Sequence, residues 1–426
     1  MLTKFASNST WIAIDRLVFG LISFYCLALI ARNYEPNFFG LFSLGVSLSA
    51  IFSTVQFFGL QPLITKKIAL DISITNSLLK KSAILMLIIT IGLILLFSLY
   101  ITLNFEASDM MMLLIIISSN FLNFSKLLNF YFEAKMQAHL SSISNIFGSL
   151  AMLIFTTLFV IYGLDGFYLS TIFLIMNLIS TLIVLLFFFK FPTLKIQKPS
   201  NISYKSLIEE SLLIFLCFFF MAIIIHMDRL IIEKFLGLEQ LGIYSASVIL
   251  LRGFMSISEA TSRALLPYLS RYVQKNDEPF FMKVYYSIYF YLGVLISVVV
   301  YLYADTVLGF IYPNLNYENL IFIKIYSFGA IFIFFDNSQW AWYINKGFLR
   351  EAALRLFFGM IIALTLNIAL TPILGLTGSA VAFLISSFFI GFISNAFFRA
   401  TKENLNYQIQ SLYLPVHFVK NYFFKK

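Results

Sequence analysis

Apolar runs of about 20 residues recur from one end of this 426-residue chain to the other, and that repetition constrains the fold more than any motif. A helical run of this length spans the ~30 Å hydrocarbon core of a bilayer. Inside that core every backbone N–H and C=O must be satisfied within the protein, which favours helices. Composition agrees: 60% of the residues are hydrophobic, 12% are charged, and the mean hydropathy is +0.91. A soluble domain of this size needs more charge to cover its surface. The chain is therefore expected to be an all-α polytopic membrane protein, with no segment outside the apolar runs long enough to form a soluble domain.

Twelve spans are predicted. They fall near residues 10–32, 38–60, 80–103, 110–132, 140–162 and 166–189, and again near 211–236, 240–264, 284–304, 319–343, 355–372 and 377–398. Turn signals such as "NYEPN", "GLDG", "YPNLN" and "GLTG" separate them. With both termini and the even connectors on one side, that side holds 21 of the 29 lysines and arginines, among them Lys66, Lys67, Lys80, Lys81 and Arg355. The other side holds only Arg32 and Lys234. The positive-inside rule then places both termini in the cytoplasm. The net charge of +9 follows from this asymmetry and from contact with anionic lipid headgroups, and calls for no nucleic acid. The expected organisation is an N-terminal six-helix half (1–190), a basic cytoplasmic linker (191–210), a C-terminal six-helix half (211–398) and a cytoplasmic tail (399–426) lying along the membrane surface.

Several chemistries find no support. The first apolar run, from near Trp11, contains Asp15 and Arg16 and reads as a retained helix, not a cleavable signal. Cys26 and Cys217 both lie in apolar runs and read as core residues. There is no GxxxxGK[ST] loop for ATP, and three scattered histidines make no metal site.

The two halves repeat. "FGLFS" at Phe39–Ser43 matches "LGIYS" at Leu241–Ser245 with an offset of 202, at which Arg32 also meets Lys234 and Ile30 meets Ile232. "GLDG" at Gly163–Gly166 matches "GLTG" at Gly375–Gly378. Six intervening helices give both halves the same topology, a parallel repeat about an axis along the membrane normal.

Charges inside such spans cost about 2.5–3.5 kcal/mol each on insertion scales and persist where they meet water, a partner or a substrate. The spans carry six cations (Arg16, Lys126, Arg229, Arg252, Arg263 and Lys324) and four anions (Asp15, Asp228, Glu259 and Asp336). This surplus of positive charge suits an anionic headgroup better than a cationic drug. Lys324 lies near a span end, where it could instead snorkel to the interface. In the fourth span Asn120, Asn123, Lys126, Asn129 and Glu133 recur every three or four residues and predict a polar helix face. Interhelical amide bonds explain the asparagines alone; the added lysine points to a wet cavity. Arg252, Glu259 and Arg263 share one line of the eighth span. In the seventh, Asp228 and Arg229 point about 100° apart and need not pair with each other. One reading bonds each to a neighbouring helix; the other makes Asp228 a coupling or gating group.

The stretch "HMDRLIIEKFLGLEQLGIYSASVIL" from His226, with "FFGLFS" as a weaker counterpart in the first half, resembles the Wzx-type polysaccharide flippases, or O-antigen transporters. These belong with the multidrug exporters of the MATE type and the lipid II flippases. The resemblance implies a MATE-like fold that moves an undecaprenyl-diphosphate-linked oligosaccharide between leaflets of the bacterial inner membrane, from the cytoplasmic to the periplasmic side, by alternating access. It implies a cationic path, no bound cofactor, and a proton or sodium gradient as the drive. Membrane lipids, a polysaccharide polymerase and a chain-length regulator are the partners it brings. The expected substrate-binding residues are Arg16, Asn120, Asn123, Lys126, Arg252, Arg263 and Lys324. Asp15, Asp228, Arg229, Glu259 and Asp336 are the coupling or gating candidates. A drug antiporter would want a net acidic cavity. A polymerase or ligase would want a large outer loop, and the outer connectors here are short, so an enzyme is not expected.

Overall fold

A computed structural model describes residues 2–190, 203–273, 278–311 and 320–423. Among the described residues there is no strand, and eleven helices are long and apolar enough to cross a membrane. The expected seventh and eighth spans are joined in one helical segment, α10 (Tyr204–Val273), interrupted only at Gly237 (φ 86°, ψ 175°). Residues 191–202 of the expected linker lie outside the described residues. The chain divides into two compact units, Met1–Ser245 and Ala246–Lys426, with the boundary inside α10.

In the first unit, α1 (Leu2–Asn33) packs on α7 (Ala138–Ile161), which packs in turn on α9 (Ile172–Lys190). α2 (Pro36–Phe57) opens with proline, whose fixed φ suits a first helical turn. The second span runs past its expected end at residue 60, because α3 (Leu60–Leu70) follows α2 across a bend at Phe58 (φ 44°) and Gly59 (φ 67°). Positive φ at a bulky residue is strained. Here the Phe58 ring stacks on Phe215 at 4.4 Å, which holds the bend against α10. α4 (Thr75–Asn104) follows, then the fourth span, which is not one α-helix. It comprises α5 (Ala107–Ser118), a 3-10 segment (Ser119–Ser125) and α6 (Lys126–Ala134). The short α8 (Gly166–Ser170) leads into α9.

The repeat is visible in contacts inside this unit. A methyl group on Gly40 would run into the carbonyl oxygen of Leu238, and one on Gly242 into the carbonyl oxygen of Pro36. At the offset of 202, Gly40 corresponds to Gly242 and Pro36 to Leu238, so the two contacts are reciprocal, as across a two-fold axis. Ser43 and its counterpart Ser245 are hydrogen-bonded Oγ to Oγ at 2.7 Å. Small residues at these positions let the backbones of α2 and α10 approach closely. The second match also has a backbone cause: Gly163 and Gly375 both turn with positive φ, 59° and 61°.

The second unit holds α11 (Glu278–Ile311), α12 (Ile321–Lys346), α13 (Leu349–Leu374) and α14 (Leu376–Gly391), then two 3-10 turns (Ile393–Ala396 and Arg399–Thr401) and α15 (Lys402–Phe423). α12 packs on α11 and α14, and α13 on α14. The tail differs from expectation: α15 docks on α11 instead of only skirting the membrane surface. The cause is a polar stripe at i, i+4 and i+7. Asn404, Gln408 and Ser411 are fully buried, and the amides of Asn404 and Gln408 reach Gln339 of α12.

Candidate functional site

The 3-10 break divides the polar face expected in the fourth span. Asn120 and Asn123, three residues apart, lie in the 3-10 segment, which has three residues per turn, so they eclipse one another, whereas Lys126 and Asn129 follow on α6. Asn120 and Asn123 are buried, at 4% and 1% exposure. The Asn123 amide donates to Oε1 of Gln56 at 3.1 Å and to Oδ1 of Asn120 at 2.9 Å. Asn120 donates to Oγ of Ser49 at 2.7 Å, and Gln56 donates to Oγ1 of Thr90 at 2.9 Å. These amides are turned toward α2 and α4, and the partners they find there join helices.

Lys126 and Asn129 turn elsewhere. Asn129 donates to Oδ1 of Asn145 on α7 at 3.2 Å, Asn145 donates to Oδ2 of Asp15 on α1 at 2.8 Å, and Ser180 on α9 adds a 3.2 Å bond to Asn145. Lys126 is half-buried, with its ammonium 5.6 Å from the centroid of the Phe57 ring just before the α2–α3 bend, a cation–π contact. Asp15, Arg16 and Lys126 act on one another through space, yet no salt bridge joins them. Arg16 is exposed and Asp15 half-buried. The structure thus gathers an open charge cluster with one net positive charge, held from behind by the Asn145 amide.

Among the described residues, the other charges named in the spans are paired. Asp228 and Arg229, at 5% and 2% exposure, do pair with each other, Nη1 to Oδ1 at 3.1 Å. The 100° separation of neighbouring residues is overcome because the long arginine folds back along its own helix, also reaching the carbonyl of Ile225 at 3.1 Å. Tyr244 donates to Oδ2 of Asp228 at 2.6 Å, and Nε of Arg229 reaches Oγ of Ser43 at 3.3 Å. The pair is therefore tied into the α2–α10 contact that carries the repeat.

Asp336 has a partner that the sequence concealed. Arg355, counted there as a charge of the basic side, is 1% exposed and donates to Oδ1 of Asp336 at 2.5 Å. Its guanidinium also lies 4.7 Å from the Tyr343 ring centroid and donates to the carbonyl of Ile390 at 3.1 Å. Around Gln339, which bonds Asp336, the amides of Asn395 and Asn404 both donate to Oε1, at 2.8 and 3.0 Å. Tyr343 closes on Asn395 at 2.6 Å, and Tyr286 closes on Asn404. Lys324 makes a 2.7 Å pair with Asp305, both part-exposed, as expected of a lysine near a helix end. The side chains of Arg252, Glu259 and Arg263 lie outside what is described.

The family model described as "Polysaccharide biosynthesis protein" matches residues 5–273. The chain belongs to this family. No curated protein matches it. Among solved structures, the chain is similar to the lipid II flippase MurJ in an inward closed conformation (TM-score 0.68, 12% identity, covering 96% of this chain and 90% of that one). It is also similar to a multidrug resistance MATE family transporter facing outward (TM-score 0.64, 13% identity, 95% and 97% covered) and facing inward (0.62, 14%, 93% and 96%). At these identities the likeness is one of fold, and it is the MATE-like fold expected from the sequence. The family member resembles transporters in architecture throughout.

Proposed function

We propose that the protein moves a polyprenyl-diphosphate-linked oligosaccharide, of the kind used to build O-antigen or capsule, from the cytoplasmic to the periplasmic leaflet of a bacterial inner membrane. The observation that carries this reading is the open cluster of Asp15, Arg16 and Lys126 in a member of the polysaccharide biosynthesis family. Elsewhere among the described residues the chain closes its buried charges into pairs; here it leaves a cationic surplus. A sugar headgroup cannot cross hydrocarbon unaided, and its diphosphate is attracted by cations that are not already neutralised. The surplus is small, which suits a ligand that must also leave. Arg252 and Arg263 are further candidates for binding the substrate, and Asp228, Glu259 and Asp336 for coupling transport to a proton or sodium gradient. Polymerase and chain-length proteins would receive the product.

The test is deletion of the gene in its host, followed by sided analysis of lipid-linked sugars across the inner membrane. Complete, unpolymerised units on the cytoplasmic face are the expected result. Complete units on the periplasmic face, without polymer, would instead make the protein a polymerase. Normal lipid-linked sugars with new sensitivity to cationic drugs would make it an exporter. Arg252→Ala should impair complementation more than Arg252→Lys.

A further inference from the structure

A groove of about 740 Å3 opens beside the 3-10 segment of the fourth span. One wall is α4, through Ala83 and Leu87; the other is α9, through Leu185 and Phe188; Phe124 and Leu128 form its floor. Its volume is in the range of ligand cavities, about 300–1,000 Å3. The lining is mostly apolar. Its hydroxyls, Ser125 and Thr181, bond each other at 2.8 Å and offer little to water.

One end of the groove is different. Lys80 and Asn76, both exposed, close it at the start of α4. The lysines around Lys80 have other work: Lys81 lies 5.5 Å from the Tyr204 ring centroid, and Lys67 pairs with Glu210 at 2.7 Å. Lys80 makes no such ion pair among the described residues. An apolar trough with a single available cation at its mouth is complementary to an amphiphile with a long hydrocarbon tail and an anionic head.

We propose that this groove holds the polyprenyl tail of a diphosphate lipid, with Lys80 on its phosphate. The inference rests on the transport reading above and deepens it. It seats the tail on one side of the 3-10 segment, with Lys80 holding the phosphate at the mouth before the diphosphate headgroup passes to the cluster of Lys126, the next residue in the chain. Occupation of the groove would thus be felt at the break that positions Lys126.

The test uses the full-length protein in nanodiscs of phosphatidylcholine, with geranylgeranyl diphosphate bearing a diazirine on its last isoprene as the probe. Crosslinked peptides are read by mass spectrometry. The expected labels fall on the α4, α6 and α9 residues of the groove, and unlabelled undecaprenyl diphosphate competes them away. Lys80→Gln should lower labelling about tenfold, the scale of one lost charge-assisted contact, while the neighbouring Lys81→Gln leaves it unchanged. Ala83→Trp, which fills the trough, should abolish it. Even labelling of all lipid-facing helices, equal competition by phosphatidylglycerol, or unchanged labelling in both Lys80→Gln and Ala83→Trp would overturn the proposal. If the groove labels as expected but the deletion strain has normal lipid-linked sugars, the groove stands and the transport reading fails. If the deletion accumulates cytoplasmic units but the groove does not label, the transport reading stands and the groove fails.

Discussion

Two charged regions of this molecule, both in a bundle of apolar helices, are built in opposite ways. Around Asp336 and Arg355 each ion has its counter-ion, and amides from α12, α15 and the 3-10 turn between them surround the pair. Around Asp15, Arg16 and Lys126 the charges sit near one another without pairing. The first arrangement holds helices together. The second costs stability, since an unpaired charge in a low-dielectric setting keeps its desolvation penalty. A chain retains such a cost where something else is to be bound, and stability tends to be given up at functional sites. Asp228 and Arg229 belong with the first kind, their pairing extended to Tyr244 and Ser43.

This contrast can be broken by substitution, from the largest effect to the smallest. Arg355→Met leaves Asp336 buried and alone and should destabilise the protein by about 3–5 kcal/mol, read by unfolding in detergent. Adding Asp336→Leu should recover most of that loss. Gly40→Leu should cost about 1–3 kcal/mol by overpacking the α2–α10 contact, and Gly242→Leu should cost about the same if the repeat is as symmetric as its contacts. Asn123→Ala removes interhelical amide bonds and should cost about 0.6–1.7 kcal/mol. That loss should appear in stability before it appears in transport.

Much of this was legible in the sequence, and the failures have causes. The spans were visible because lipid demands long apolar helices, and the repeat because close approach demands glycine and serine at Gly40, Ser43, Gly242 and Ser245. The 3-10 break was not legible, because Asn120, Asn123, Lys126 and Asn129 read as one α-helical face, whereas the first two lie in the 3-10 segment and the last two on α6. The docking of the tail was missed: its aromatic and basic residues read as interfacial, although Asn404, Gln408 and Ser411 stand at i, i+4 and i+7 as a buried polar stripe does. The Asp336–Arg355 pair was not legible. It joins two helices across a turn, and Arg355 stands at the start of its expected span, where a basic residue ordinarily marks topology. The inward turn of the Asn120 and Asn123 amides was equally hidden, because it depends on Gln56 and Ser49 of α2 and Thr90 of α4.

The central claim is that Lys126 is kept for binding and not for folding. Its most direct test is Lys126→Met, measured for both thermal stability and surface polysaccharide in the same strain. The expected result is polysaccharide reduced at least about tenfold with stability unchanged or raised, since an unpaired cation has been removed from the bundle. Normal polysaccharide, or a loss of stability on the scale of Arg355→Met, would contradict it.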